Sequence, residues 1–257
     1  MKIAEIFYSI QGEGVSNGIP AIFIRFSNCN LSCGINPIHI STITKNKMNQ
    51  TQVNDLKLKD ATWVCDTIAT FTQGKDYTLE ELDKYFVINN FYNYLANGAH
   101  LIFTGGEPLL NETNIIGIIN LFNSKVKNIY YEIETNGTIL PNLLLTEFDI
   151  QFNISPKLKN SGLPEHLRIK RDTLNELLKN RKSYFKFVVS NVKDILEILE
   201  LQDELAIPNN KIILMPACQN REEKELIQEK IVEYCKMHSF RFSPRLQIDI
   251  WNKTVNV

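Results

Sequence analysis

Four polar motifs each stand directly after a short β-rich run: Thr104-Gly105-Gly106-Glu107-Pro108, Glu134-Thr135-Asn136-Gly137, Ser155-Pro156-Lys157 and Met215-Pro216. This placement constrains the fold more than any other feature of the chain. The β-rich runs cover residues 21–26, 101–103, 129–133, 148–154, 184–189, 211–215 and 240–242. Between them, residues 79–95, 113–122, 173–178, 192–205 and 222–237 carry apolar side chains at three- and four-residue spacing, as helices packed on one face do. Strand and helix in alternation imply a parallel sheet. In a (β/α) barrel the strand C-terminal ends form the face that carries ligands and catalysis, so motifs gathered there are hard to read as ordinary turns. The repeats are too few for eight, which predicts an α/β fold of the partial, open (β/α) barrel kind. At 257 residues and 44% hydrophobic content, the chain is expected to be one domain spanning 1–257.

A net charge of −1 carries no basic excess, so the sequence predicts no nucleic-acid partner. No run of about 20 apolar residues offers a membrane span, and Met1-Lys2-Ile3-Ala4-Glu5 lacks the apolar core of a leader. A cytoplasmic protein acting on small molecules is expected. Five cysteines, an odd number without an export signal, point to metal or catalytic use rather than a disulfide framework.

Three of the five cluster early, in Cys29-Asn30-Leu31-Ser32-Cys33 and Trp63-Val64-Cys65-Asp66-Thr67. Three thiolates hold three irons of a [4Fe–4S] cube and leave the fourth open to a substrate or cofactor. Without residues 34–62 the two pieces close into a C-x3-C-x2-C motif. The intervening stretch is rich in Asn, Thr, Lys and Gln with no sustained periodicity, and reads as an insertion that loops out and returns. A zinc site would call for a fourth Cys or His, and none is evident beside Cys65. His39, inside the insertion, reads as a solvated side chain and is not assigned. Cys235 falls on a helical apolar stripe with Ile227, Ile231 and Tyr234, so it and Cys218 read as structural. Gly105-Gly106 lets backbone approach a ligand closely, but neither G-x-x-x-x-G-K nor G-x-G-x-x-G occurs, which disfavours a nucleotide phosphate.

The compact cysteine motif resembles that of the radical S-adenosylmethionine (SAM) enzymes, and T-G-G-E-P resembles their SAM-binding loop. Glu5-Ile6-Phe7-Tyr8-Ser9-Ile10-Gln11-Gly12-Glu13-Gly14 then resembles the opening of the 7-carboxy-7-deazaguanine synthase family. So do F-I-R before C-N-L-x-C, C-D-T, E-T-N-G, S-P-K and a late R-L-x-x-x-x-W, in order over most of the chain. The resemblance implies a lyase of the radical SAM type. It would convert 6-carboxy-5,6,7,8-tetrahydropterin into 7-carboxy-7-deazaguanine with release of ammonia, on the route to queuosine. It further implies a homodimer served by a flavodoxin-like or other reductant.

The same resemblance assigns Cys29, Cys33 and Cys65 to the [4Fe–4S] cluster and the Thr67 hydroxyl to Mg²⁺. Gly106, Glu107, Ser155, Pro156, Lys157, Met215 and Pro216 would hold SAM, with the Glu107 carboxylate facing its amine. Ile10, Gln11, Gly12, Glu13, Arg25 and Thr104 would hold the pterin. Gln11 and Glu13 suit its amide and amino-pyrimidine edge by paired hydrogen bonds, and the planar fork of Arg25 suits its carboxylate. Two departures stand out. The 34–62 insertion is absent from the compact motif. Gln247 stands where many relatives carry His, and an amide cannot charge, so any pH-dependent role there is lost. Two other readings compete: a glycyl-radical-enzyme activating protein, which shares the cluster and T-G-G-E-P but acts on a protein, and a non-catalytic zinc-stabilised binding module.

Overall fold

The computed structural model describes residues 1–252. Nine strands form one open sheet: β1 (Lys2–Ile10), β2 (Pro20–Phe26), β3 (Lys75–Asp76), β4 (His100–Gly105), β5 (Tyr131–Thr135), β6 (Ile150–Ile154), β7 (Ser183–Val189), β8 (Ile212–Pro216) and β9 (Arg241–Phe242). Their order is β3-β1-β2-β4-β5-β6-β7-β8-β9. From β2 to β9 all neighbours are parallel, while β1 runs antiparallel to β2 and β3. The sheet does not close, because its ends are β3 and β9.

Among the described residues twelve α-helices accompany it: α1 (Ile40–Asn46), α2 (Gln50–Asn54), α3 (Ile68–Phe71), α4 (Leu79–Ile88), α5 (Phe91–Ala96), α6 (Glu112–Asn123), α7 (Leu143–Thr146), α8 (Glu165–Arg168), α9 (Arg171–Leu178), α10 (Val192–Leu205), α11 (Arg221–His238) and α12 (Leu246–Trp251). The predicted helix over 79–95 is two helices. Asn90, at φ +56°, turns the chain between them, a left-handed conformation that asparagine tolerates better than most residues. No helix among the described residues is long and apolar enough to cross a membrane.

Strand side chains alternate between two very different faces. Phe103, Phe152, Phe185, Phe187 and Leu214 point outward into the main core, where Ile118, Phe122 and Ile198 from the helices cover them. The other set, His100, Glu132, Glu134, Gln151, Asn153 and Lys186, forms a hydrogen-bonded interior. A second device closes the open side. The hairpin between β1 and β2 crosses to the far edge of the sheet, where Gly14 N donates to Ser243 Oγ at 2.8 Å and Leu246 N donates to Gly12 O at 2.9 Å. The β1–β2 hairpin and the far end of the sheet at β9 are thus bridged by the chain's own loop.

Residues 34–62 are not an irregular loop. A short 3-10 turn at Pro37–His39 leads into α1, and α2 follows. Ile35, Ile43 and Val53 form a small core with Val64, Ile68 and Phe71, separate from the main one.

Candidate active site

The excursion returns because both of its ends are fastened to the loop after β6. Gly34 N donates to Ser161 O at 2.8 Å and Thr62 N to Asn160 O at 2.9 Å. Asn160 itself is buried, accepting from Trp63 Nε1 at 2.9 Å and donating to Val188 O and Asp194 Oδ2, both at 2.9 Å. Gly34 lies at φ +85°, and a Cβ there would stand 2.3 Å from Trp63 O, so only glycine lets the two arms lie this close. Cys65 N then donates to Cys33 O at 3.1 Å, which sets the two cysteines side by side across 31 intervening residues. Cys29 joins them on the wall of one cavity of about 710 Å³.

All three thiols are free. Burial pushes the Cys29 thiol up to about 12, and lifts Cys33 and Cys65 as well. The neighbouring acidic groups add to the effect and Lys157 opposes it at all three. Loading such a site with metal must release protons, so uptake favours higher pH. Among the described residues, no three of His, Cys, Asp and Glu close around a point tightly enough for a single ion. Cys29 and Cys65 pack beside Cys33, so the three thiols share one patch of the cavity wall, one ligand fewer than the four of structural zinc.

Behind the thiols runs the end of β4. Gly105 has φ +128°, and a Cβ on Gly106 would fall 1.8 Å from Asn28 O, so this turn lies flush against the chain leading to Cys29. Gly106 N and Glu107 N donate to Phe26 O and Asn28 O. The Glu107 carboxylate turns away from the cavity. It is fully buried and accepts from Leu109 N (3.0 Å), Asn136 N (2.7 Å) and Thr135 Oγ1 (2.8 Å). Burial pushes its pKa up to about 7, with those donors and Lys157 pulling the other way. The side chain expected to face a SAM amine therefore ties the β4 loop to the β5 loop. What the cavity receives from this turn is Thr104, Gly105 and Gly106.

The floor of the cavity is ionic. Lys186 Nζ, on β7, donates to Glu13 Oε2 at 2.7 Å and Glu134 Oε2 at 3.0 Å. Glu13 Oε1 accepts from Arg245 Nε (3.1 Å) and Gln247 Nε2 (2.8 Å). Arg245 also donates to Asp66 Oδ2 at 2.6 Å and to the Cys218 carbonyl, joining the segment after β9 to the loop that bears Cys65. Burial alone would raise the Glu13 carboxyl, but Lys186 and Arg245 outweigh it and hold the group far below the usual carboxylate range. Glu134 goes the other way, pushed up by burial despite Lys186. Gln11 Nε2 donates to Glu134 Oε1 at 3.0 Å, and its carbonyl accepts from Glu13 N at 3.2 Å. Deeper in the interior, Glu132 accepts from Gln151 and Asn153 and sits 2.6 Å from His100 Nδ1.

Ile10, Gln11, Gly12, Glu13, Arg25, Cys29, Cys33, Cys65, Thr67, Thr104, Gly106, Ser155, Lys157 and Met215 all line this cavity, whereas Glu107, Pro156 and Pro216 do not. Arg25 is already paired. It faces Glu5 across the antiparallel β1–β2 pair, with Nε 2.9 Å from Glu5 Oε2. Thr67 caps α3 without a side-chain capping bond, and its Oγ1 lies 3.3 Å from Cys65 Sγ. Gln247 meets Glu13 through its NH₂ end, and its buried Oε1 has no partner among the described residues. Lys186, Glu134, Arg245 and Asp66 escaped sequence reasoning as a linked set. A lone basic residue inside the β-rich run 184–189 was the available signal for Lys186, since an unpaired charge is costly on an inward strand face.

Several curated proteins match the chain over nearly its full length. The 7-carboxy-7-deazaguanine synthase of Halobacterium salinarum is 27% identical over 273 residues, covering 98% of this chain and 91% of that protein. The Pyrobaculum aerophilum protein of the same name is 28% identical over 253 residues, covering 98% and 95%. The crystal structure of QueE from Escherichia coli superposes with a TM-score of 0.60 at 22% identity, over 95% of this chain and 93% of that one. No protein-family model matches the chain. An open, mainly parallel sheet of this order, with three cysteines and a glycine turn at the strand ends, defines a radical SAM fold. Within that class, the full-length likeness is to proteins named 7-carboxy-7-deazaguanine synthase.

Proposed function

We propose that the protein converts 6-carboxy-5,6,7,8-tetrahydropterin into 7-carboxy-7-deazaguanine with release of ammonia, using a [4Fe–4S] cluster, SAM and Mg²⁺. The observation that carries this reading is the single cavity that joins the three cysteines to an ionic floor. Cys29, Cys33 and Cys65 would hold the cluster, and Gly106, Ser155, Lys157 and Met215 would border SAM. When bound, these groups supply the one-electron chemistry that starts the ring contraction.

The chain's own residues bind, orient and shelter the pterin. A carboxylate offers about four acceptor positions. Among the described residues, Glu13 Oε2 and Glu134 Oε2 each meet only Lys186, so each keeps acceptor capacity beside the other. Two adjacent acceptors match the paired N–H donors of an amino-pyrimidine edge. Lys186 and Arg245 keep Glu13 ionised for that task. Arg25 spends Nε on Glu5, and its two terminal amino groups have no acceptor among the described residues, which suits them to the substrate carboxylate. The Thr67 hydroxyl, which makes no helix-capping bond and meets Cys65 Sγ at 3.3 Å, keeps lone-pair capacity for a hard cation that keeps most of its water. The bridged sheet edge makes a pocket for a small molecule rather than a side groove for a protein segment, which favours this reading over a glycyl-radical activating protein. The likeness to proteins named 7-carboxy-7-deazaguanine synthase further supports a homodimer and a flavodoxin-like or other reductant as partners.

Anaerobically reconstituted, reduced protein given SAM, Mg²⁺ and carboxytetrahydropterin is expected to form 5′-deoxyadenosine and the deazaguanine together. Deoxyadenosine without any deazapurine rejects the substrate assignment. Thr67→Ala is expected to raise the Mg²⁺ concentration for half-maximal turnover about tenfold, the effect of one lost oxygen ligand. Superimposable Mg²⁺ titrations of variant and parent contradict that role.

A further inference from the structure

The excursion between Cys33 and Cys65 touches the site in two places that its return path does not require. Cys29 and Cys65 pack against its small core. From α2, Gln50 Nε2 donates to the Cys65 carbonyl at 2.9 Å and to Asn54 Oδ1 at 3.0 Å. Asn54 Nδ2 in turn donates to Gln219 Oε1 at 3.0 Å, in the loop between β8 and α11. Asn54 and Gln219 both line the cavity. The three amides therefore form one chain, from the loop of the third cysteine to the loop beyond β8. The Gln50 Oε1 atom is buried with no partner among the described residues, a destabilising arrangement that the two bonds at the other end of the amide offset.

We propose that Gln50, Asn54 and Gln219 are positioning residues: a clasp that holds the Cys65 loop in place and limits the access of small solutes to the iron–sulfur group. The inference rests on the cluster assignment above. With the clasp closed, Cys65 is held from both sides, by Cys33 O on its amide and by Gln50 on its carbonyl. With it open, the loop of the third thiolate keeps only the first of these tethers, and the cavity loses the bond between Asn54 and Gln219.

The test compares anaerobically reconstituted parent, Gln50→Leu, Asn54→Ala, Gln219→Ala and the Asn54→Ala/Gln219→Ala double variant. Iron and acid-labile sulfide are measured first. A ferrous chelator is then added, and decay of the visible absorbance is followed. Each single variant is expected to load fully, melt with the parent and bleach about tenfold faster, while the double variant bleaches no faster than either of its singles, as partners in one interaction should. Gln219→Ala lies outside the excursion, so it tests the clasp even if the α2 variants fold poorly. Loaded variants that bleach at the parental rate overturn the clasp alone, as does a double variant whose effect is the product of the two singles. A parent that takes up no iron and sulfide overturns the cluster assignment and the clasp with it.

Discussion

Cys65→Ala is expected to lose the iron and sulfide that the parent retains after reconstitution, and SAM cleavage is expected to fall by about a thousandfold or more, since two thiolates leave half of a [4Fe–4S] cube unligated. The same replacement at Cys218 or Cys235 is expected to leave the cluster in place. Cys235 packs in the main core and contacts the Arg241 carbonyl, and Cys218 lies at the end of β8 with its carbonyl held by Arg245. The contrast separates ligands from bystanders among five free thiols. Iron and sulfide analysis with deoxyadenosine detection reads both outcomes. A Cys65→Ala protein that keeps its colour and turnover removes the basis of the cluster assignment.

Lys186→Met carries the largest expected stability effect. The ammonium is buried between two carboxylates, and removing one partner of such a group typically costs about 3–5 kcal/mol because the remaining charge has lost its counterion. For a chain of this size, that corresponds to a melting point lower by roughly 6–20 °C. The pH dependence has a definite sign. Glu13 is held below its unfolded value, so its contribution is present above about pH 4.5 and fades as pH falls below that point towards its folded value. Glu134 is held above its unfolded value, so ionising it already costs stability as pH rises, and losing Lys186 sharpens that cost. The gap between parent and Lys186→Met is therefore expected to be wide at pH 8 and to narrow towards pH 5. Equal shifts in melting point at the two pH values would falsify this account. Loss of pterin turnover is expected as well, because the two carboxylates proposed to face the substrate then lack a shared cation.

The strands from β4 to β9 and β2 were legible because each lies in a short β-rich run, most of them between helices of clear periodicity, and α10 was readable end to end, whereas the two-residue β3 (Lys75–Asp76) left no trace. The antiparallel β1 (Lys2–Ile10) buries only Ile3 fully and shows no clean two-residue burial period, and its residues were read as motif rather than as strand. The excursion was opaque for a physical reason: α1 and α2 have seven and five residues, less than two turns each, too short for a 3.6-residue period to show. Asn49 with Gln52 was a usable trace, since together they make a capping box at α2. At the site, what lives in a local motif could be proposed from sequence, as for Cys29, Cys33 and Cys65, which line one cavity. Chemistry that depends on partners far apart was not: Glu13 meets Lys186 across 173 positions and Arg245 across 232. Glu107 shows the reverse, a motif residue whose carboxylate the fold spends on its own loops.

The bond from Leu246 N to Gly12 O also has a bearing on biogenesis. During synthesis the thiol-bearing segment, from Cys29 to Cys65, leaves the ribosome before the polypeptide from Ser243 to Leu246 that seals the opposite rim. Such a long-range closure is entropically late. Cluster insertion and pocket completion are in consequence separable events in time, and a fragment stopping short of Ser243 would retain its sulfur ligands yet hold no enclosed space for a pterin.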